Sequence, residues 1–247
     1  MKALFQAISF LTRIPVPTLH YTAEDWQRSV RYYPVVGAMI GLLLWLFHAL
    51  MMTTFSAHVS AVLTLLFWVY VTGGLHLDGW MDLADGLGSN RSREQMLAIM
   101  KDSRVGAMGV IAAISLFLLK GAALYDILSD PGTVRLIAVP MIARTLVPVL
   151  MRFFPYVVKD GIAIGMREAI TMWSLWLGCL FLVVIGWYLG GYPVLVTIAI
   201  ATLFAVVFAA GVNRKLGGLT GDVYGALIES IEAVCLLGLL AAGRLLQ

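Results

Sequence analysis

From residue 34 onward the chain repeatedly runs for about twenty residues with hardly a charged side chain, and no other feature limits its fold so strongly. Twenty helical residues rise about 30 Å, the depth of a bilayer's hydrocarbon core, where every backbone polar group must be satisfied within the segment. Seven such runs are expected as helical spans, near 34–55, 57–75, 105–128, 134–154, 172–190, 192–212 and 223–243. The chain is 61% hydrophobic and 13% charged, whereas soluble domains are roughly 45–50% apolar and 25% charged. The fold class expected is all-α, a polytopic membrane helical bundle of about seven transmembrane helices plus an N-terminal interfacial amphipathic helix. It forms a single integral membrane domain over 1–247, with an interfacial helix and surface loop in 1–33 and the transmembrane bundle in 34–243.

The first residues resemble a signal peptide only in Lys2 and the short apolar run behind it, since no small-residue cleavage pattern follows and Arg13-Ile14-Pro15 ends the run. Leu4, Ile8 and Leu11 share one helical face, which suits a helix lying in the interface. Residues 15–33 then read as a polar surface connection. Basic residues set the orientation. Lys2, Arg13, Arg28, Arg31, Arg91, Arg93, Lys101, Arg104, Arg152, Lys159, Arg167, Arg214 and Lys215 fall on one side of the expected spans, and only Arg135 and Arg244 on the other. This places the N-terminus and the longer polar connections in the cytoplasm and the C-terminus outside. The basic residues form no stripe that could follow a phosphate backbone, so nucleic acid is not an expected partner. Cys179 and Cys235 lie in apolar spans without metal or redox spacing and read as small core residues.

Chemistry is concentrated in three polar stretches. The first, Gly73 to Ser89, holds Asp78, Asp82 and Asp85. At 100° per residue, Asp82 lies about 40° from Asp78 and Asp85 about 20° on its other side, so a helix would put all three carboxylates on one face. Three negative charges so close repel one another unless a cation joins them, and a hard divalent ion, Mg²⁺ or Mn²⁺, takes carboxylate oxygens while leaving positions open for phosphate. His76 points away from that face and reads as structural. In the second stretch, Lys101 to Gly109, Asp102 offers a fourth carboxylate and Arg104 a fork for phosphate oxygens. The third runs from Asn213 to Asp222, where Arg214 and Lys215, three glycines and a following helix start suit an anion. A solvated acidic helix end and an ordinary interhelical turn are the plainer readings of the first and third.

Within the spans, Arg144 and Glu232 fall at similar depth and are expected to pair, because unpaired charges there are costly. Glu229 lies nearer the mouth of its span and is a candidate for substrate or metal. Lys120 has no evident role in the sequence.

Taken together, Gly73-Gly74-Leu75-His76-Leu77-Asp78-Gly79, Asp82, Asp85-Gly86, Asp102-Ser103-Arg104-Val105-Gly106, and Gly217-Gly218-Leu219-Thr220-Gly221-Asp222 with Gly225-Ala226 and Glu229 resemble the cobalamin synthase family. These enzymes are also called adenosylcobinamide-GDP ribazoletransferases or cobalamin 5'-phosphate synthases. Phe10 to Pro17 resembles the family as well, and the likeness runs from near residue 5 to the last span. It implies a Mg²⁺-dependent transferase of the cell inner membrane, acting in coenzyme B12 biosynthesis. Such an enzyme joins adenosylcobinamide-GDP to alpha-ribazole, or to its 5'-phosphate, and releases GMP. On this reading Asp78, Asp82, Asp85 and Asp102 are catalytic and hold the metal, while Arg104, Arg214, Lys215, Asp222 and Glu229 line the substrate's phosphates. The partners implied are the corrinoid-GDP and ribazole substrates and membrane lipid; a homo-oligomer is compatible with the sequence. Asp82-Leu83-Ala84-Asp85-Gly86 also resembles half of the motif of the CDP-alcohol phosphotransferases, though the Ala-Arg pair expected after the glycine is absent. A lipid enzyme of that kind and a secondary transporter are the alternatives, the latter disfavoured by the lack of an internal repeat.

Overall fold

Eleven α-helices account for nearly all regular structure in the computed structural model, which describes residues 1–129, 132–158, 161 and 163–245. Lys159 thus lies outside the described residues, and of Arg244 only the backbone is described. The helices are α1 (Lys2–Leu11), α2 (Ala23–Ser29), α3 (Tyr33–Met51), α4 (Ala57–Thr72), α5 (Leu75–Gly88), α6 (Arg93–Ile99), α7 (Ala107–Leu128), α8 (Ala138–Phe153), α9 (Met166–Ala169), α10 (Met172–Leu216) and α11 (Gly221–Leu245). Among the described residues five helical stretches are long and apolar enough to cross a membrane, and six if α4 and α5 form one bent span. The 45-residue α10 is not straight: Gly191 leaves helical geometry at φ 59°, ψ −138°, next to Pro193. Gly186 packs close to Val194 and Ile198, so the chain doubles back there. With α10 counted as two rods and α4 as a span, the seven expected rods are present.

α8 and α11 form the inside of the bundle. Nearly every residue of α8 is buried, as is most of α11, and both pack on α10 and on each other. The outer helices turn apolar side chains outward, Leu118 at 70% exposure, Leu203 at 68% and Trp176 at 69% among them. Such a surface would aggregate in water and is stable in lipid. This is an all-α polytopic membrane protein.

Two details depart from expectation. The apolar face of α1 is spent on protein rather than on lipid alone: Ala7 and Leu11 are fully buried, and Phe10 meets Trp26 of α2 edge-on at 4.9 Å between centroids. The connection 15–33 contains α2, opened by a capping box in which Thr22 and Asp25 bond each other's backbone amides. Thr22-x-x-Asp25 was a visible signal for that helix start.

The fold places the acidic stretch through a glycine pair. α4 ends at Gly73 (φ 67°) and Gly74 (φ 70°), two successive left-handed residues. Only glycine adopts that geometry without strain, and it swings α5 by 92° away from α4. α5 therefore runs across the starts of α11 and α7, its main packing partners. At the crossing with α11 a Cβ on Gly79 would stand 2.5 Å from the carbonyl oxygen of Asp222, and one on Gly225 3.1 Å from that of His76, so the two backbones touch where both helices carry glycine.

Candidate active site

α5 is helical throughout Leu75–Gly88, so Asp78, Asp82 and Asp85 do share a face. They are used differently. Asp85 accepts hydrogen bonds from the amides of Gly106 (2.7 Å) and Gly109 (2.8 Å) at the start of α7. Both its oxygens cap that helix, satisfying amides that have no partner within it and meeting its positive end. A side chain on either glycine would collide with the carboxylate, which explains Gly106-x-x-Gly109.

The carboxylates of Asp78 and Asp82, by contrast, have no hydrogen bond or ion pair within the described residues. Partial burial, and then the charges of Asp78, Asp222 and Asp85, push the carboxyl of Asp82 up to about 6. Asp222, in the first turn of α11, is brought beside this pair by the Gly79 crossing, and among the described residues its carboxylate accepts a hydrogen bond only from the Thr220 hydroxyl (3.3 Å). The cation that acts on Asp222 is Lys101, in the connection after α6.

Asp102 does not join the group. Its carboxylate forms a bidentate pair with the exposed Arg104, 2.6 Å at the shortest contact, and those hydrogen bonds hold it down to about 2. The four-carboxylate set expected from the sequence is therefore not assembled, and among the described residues no three His, Cys, Asp or Glu side chains are arranged to hold a metal ion by themselves. Local geometry is the reason: Asp85 is drawn to a helix start and Asp102 to the arginine two residues on. What is left, two unpartnered carboxylates with a third alongside, still fits Mg²⁺, which commonly takes one or two protein carboxylates and completes its shell with water and substrate phosphate.

The second acidic expectation is corrected too. Glu229 lies seven residues beyond Asp222, about 10 Å deeper along α11, and is spent on Lys120 at 2.5 Å. Lys120 also bonds Glu232 at 2.7 Å, and Glu232 bonds Arg144 at 2.5 Å. The expected Arg144–Glu232 pair is thus half of a four-residue chain of alternating charge, and Lys120, unassigned from sequence, is its bridge, with its ammonium 4.8 Å from the ring centre of Trp68. Glu229 belongs to this internal network and not to a phosphate site. Cys179 and Cys235 are free thiols.

Arg214 and Lys215 are exposed on the last turn of α10. The guanidinium of Arg93 lies against Gly217, an arginine that sequence spacing did not single out. The 217–222 turn is held by the 155–157 segment through bonds from Val157 N to the Leu219 oxygen (3.1 Å) and from Leu219 N to the Pro155 oxygen (2.8 Å). Beside the carboxylates a cavity of about 220 Å³ opens, lined by His76, Asp78 and Asp222 and by apolar side chains. A wider groove of about 660 Å³ between α3 and the start of α10 contains none of the aspartates.

Fold and site define an all-α polytopic membrane protein with an acidic face at one end of its bundle. The family model for cobalamin-5-phosphate synthase matches residues 3–240. An adenosylcobinamide-GDP ribazoletransferase of Brevibacillus brevis is 53% identical over 244 residues, covering 98% of this chain and 99% of its own. The proteins of the same name from Desulfitobacterium hafniense and Geotalea daltonii are 41% and 36% identical, each comparison covering at least 96% of both chains. No solved structure matches the chain. The chain belongs to the cobalamin-5-phosphate synthase family and is a transferase of cobalamin synthesis. That membership sets aside the transporter and lipid-enzyme alternatives.

Proposed function

We propose that this chain joins alpha-ribazole, or its 5'-phosphate, to adenosylcobinamide-GDP, giving adenosylcobalamin or its 5'-phosphate and releasing GMP. The observation that carries the reading is the pair of unpartnered carboxylates, Asp78 and Asp82, on a helix laid across the starts of two others in a chain of this family. Breaking a pyrophosphate needs its oxygens neutralised and its leaving group stabilised. Asp78 and Asp82 would hold Mg²⁺, or Mn²⁺ in its place, with Asp222 beside them. When bound, the ion supplies charge neutralisation at the pyrophosphate oxygens. Lys101, Arg93, Arg214 and Lys215 supply the cations that hold phosphate at the same end of the bundle, and Arg104 keeps one free nitrogen for it while paired to Asp102. A ribose hydroxyl of ribazole attacks the phosphorus that carries cobinamide; its proton passes to a neighbouring carboxylate and GMP departs.

The excess of basic residues among the connections at this end favours a cytoplasmic site in the cell inner membrane, with the N-terminus inside and the C-terminus in the periplasm. The test is GMP release from the GDP-linked corrinoid by purified protein in lipid, with Mg²⁺ titrated against a chelator. Asp78→Asn and Asp82→Asn are each expected to lower turnover at least about a hundredfold while membrane insertion persists, in line with what a metal contributes to a transition state. Full activity of both variants would refute the site.

A further inference from the structure

We infer that the cavity beside His76 receives the aromatic base of the nucleoside substrate, with the His76 imidazole hydrogen-bonding the base's free ring nitrogen. The inference rests on the proposed function and names where one of its two substrates sits. At about 220 Å³ the cavity is smaller than the roughly 300–1,000 Å³ of pockets that enclose a whole ligand. It has room for a bicyclic ring and none for a corrin, which must lie outside. Its walls are Phe10, Tyr33, Tyr224, Met151 and Met166, aromatic and thioether surfaces that suit a flat apolar ring. At its mouth stand Asp78 and Asp222, so a base seated inside would leave its ribose at the carboxylates, where the attacking hydroxyl is needed.

His76 gives the cavity a deeply buried polar side chain, whereas the hydroxyl of the equally buried Tyr33 is turned to the Met166 sulfur (3.8 Å). The histidine is 4% exposed and lines the cavity. A benzimidazole bonded to ribose through one ring nitrogen keeps a single free ring nitrogen, an acceptor. A neutral imidazole has a single N–H to give it. One donor and one acceptor match. Guanine, the other aromatic base in the reaction, displays several donors and acceptors, which the apolar interior of the cavity does not match, the carboxylates standing only at its mouth.

The first measurement needs no turnover. Binding of 5,6-dimethylbenzimidazole alone to the full chain in lipid nanodiscs is measured by calorimetry, alongside His76→Phe and Ala163→Phe. The first keeps the ring's bulk and removes its nitrogens; the second fills the cavity from the half-buried Ala163 in its wall. The base should bind the parent protein, about tenfold more weakly to His76→Phe, the loss expected for one hydrogen bond, and not measurably to Ala163→Phe. In turnover assays the KM for ribazole should rise in both variants while that for the corrinoid-GDP stays within about twofold. No binding by the parent protein, equal binding by all three, or a rise confined to the corrinoid-GDP KM would each overturn the assignment, the last by giving the cavity to guanine. Absence of GMP release by the parent protein, with base binding intact, would refute the reaction and leave the base site standing.

Discussion

Asp85→Asn separates a helix cap from a metal ligand. In the structure the Asp85 carboxylate takes two backbone amides, at 2.7 and 2.8 Å, from the first turn of α7. A hydrogen bond to a charged group contributes about 1.5–3 kcal/mol, and an anion at a helix start adds about 0.3–1 kcal/mol. Asparagine keeps one acceptor oxygen, now uncharged, and turns an NH₂ donor toward the other amide. The variant therefore loses one bond outright, weakens the second and forfeits the dipole contribution, a cost of about 2–4 kcal/mol. That cost falls on the contact of α5 with α7. It should appear as a lower melting temperature in micelles and as faster hydrogen exchange at the amides from Gly106 to Val110. Activity per folded molecule should fall only as far as α5 shifts, and the Mg²⁺ concentration for half-maximal rate should stay close to the parent's. Asp82→Asn should behave in the opposite sense: it removes one charge from a crowded acidic face, so stability is kept or rises slightly, while Mg²⁺ dependence is lost. If Asp85→Asn melts and exchanges like the parent but needs far more Mg²⁺, the capping argument is wrong and Asp85 is a ligand.

Other expectations follow from the same geometry. Lys120→Met leaves Glu229 without a partner in the bundle interior and should cost about 3–5 kcal/mol; Lys120→Met combined with Glu229→Gln should recover much of it, and equal unfolding midpoints for parent and single variant would show the bridge idle. Arg214→Gln with Lys215→Gln should raise the KM for the GDP-linked corrinoid about tenfold and leave Mg²⁺ dependence as it was, whereas an unchanged KM would reduce the pair to a cap on the C-terminus of α10. Cysteines introduced at Arg91 and Arg214, in a chain with Cys179 and Cys235 replaced by alanine, should be labelled only from the cytoplasmic side; labelling of both from the periplasm would invert the orientation.

Much of the bundle was legible because lipid leaves few options: long apolar runs, and breaks at Gly73-Gly74 and Gly191-Tyr192-Pro193, mark the rods and their ends. The shared face of Asp78, Asp82 and Asp85 was legible from helical periodicity alone. Their division of labour was not, because it depends on partners distant in sequence. Asp85 is claimed by amides more than twenty residues ahead, and Lys120 finds Glu229 and Glu232 more than a hundred residues away. Asp102 is the exception, since Arg104 is close enough in sequence for a local pair to have been expected in place of a metal ligand. The Arg144–Glu232 pair could be read from depth, since two opposite charges in a bundle have few places to go. Arg93 gave no local signal for its place on Gly217.

An acidic helix at the end of a bundle must be reconciled with its neighbours' fields, and the chain direction of those neighbours does this. α7 and α11 both begin beneath α5, so their unpaired amides and positive ends meet its carboxylates. Asp85 takes the first of these ends directly, and Asp222 stands in the first turn of the second. α10 ends there instead, and its negative end carries Arg214 and Lys215 in the last turn. The two helix starts and the basic helix end offset only part of the repulsion among the aspartates: the Asp82 carboxyl is still pushed up to about 6 by burial and its acidic neighbours, and neither Asp78 nor Asp82 has a fixed side-chain partner among the described residues. Had α7 or α11 run the other way, its negative end would have added to the repulsion among the aspartates, and a cation would then have been needed for the fold itself rather than for the reaction.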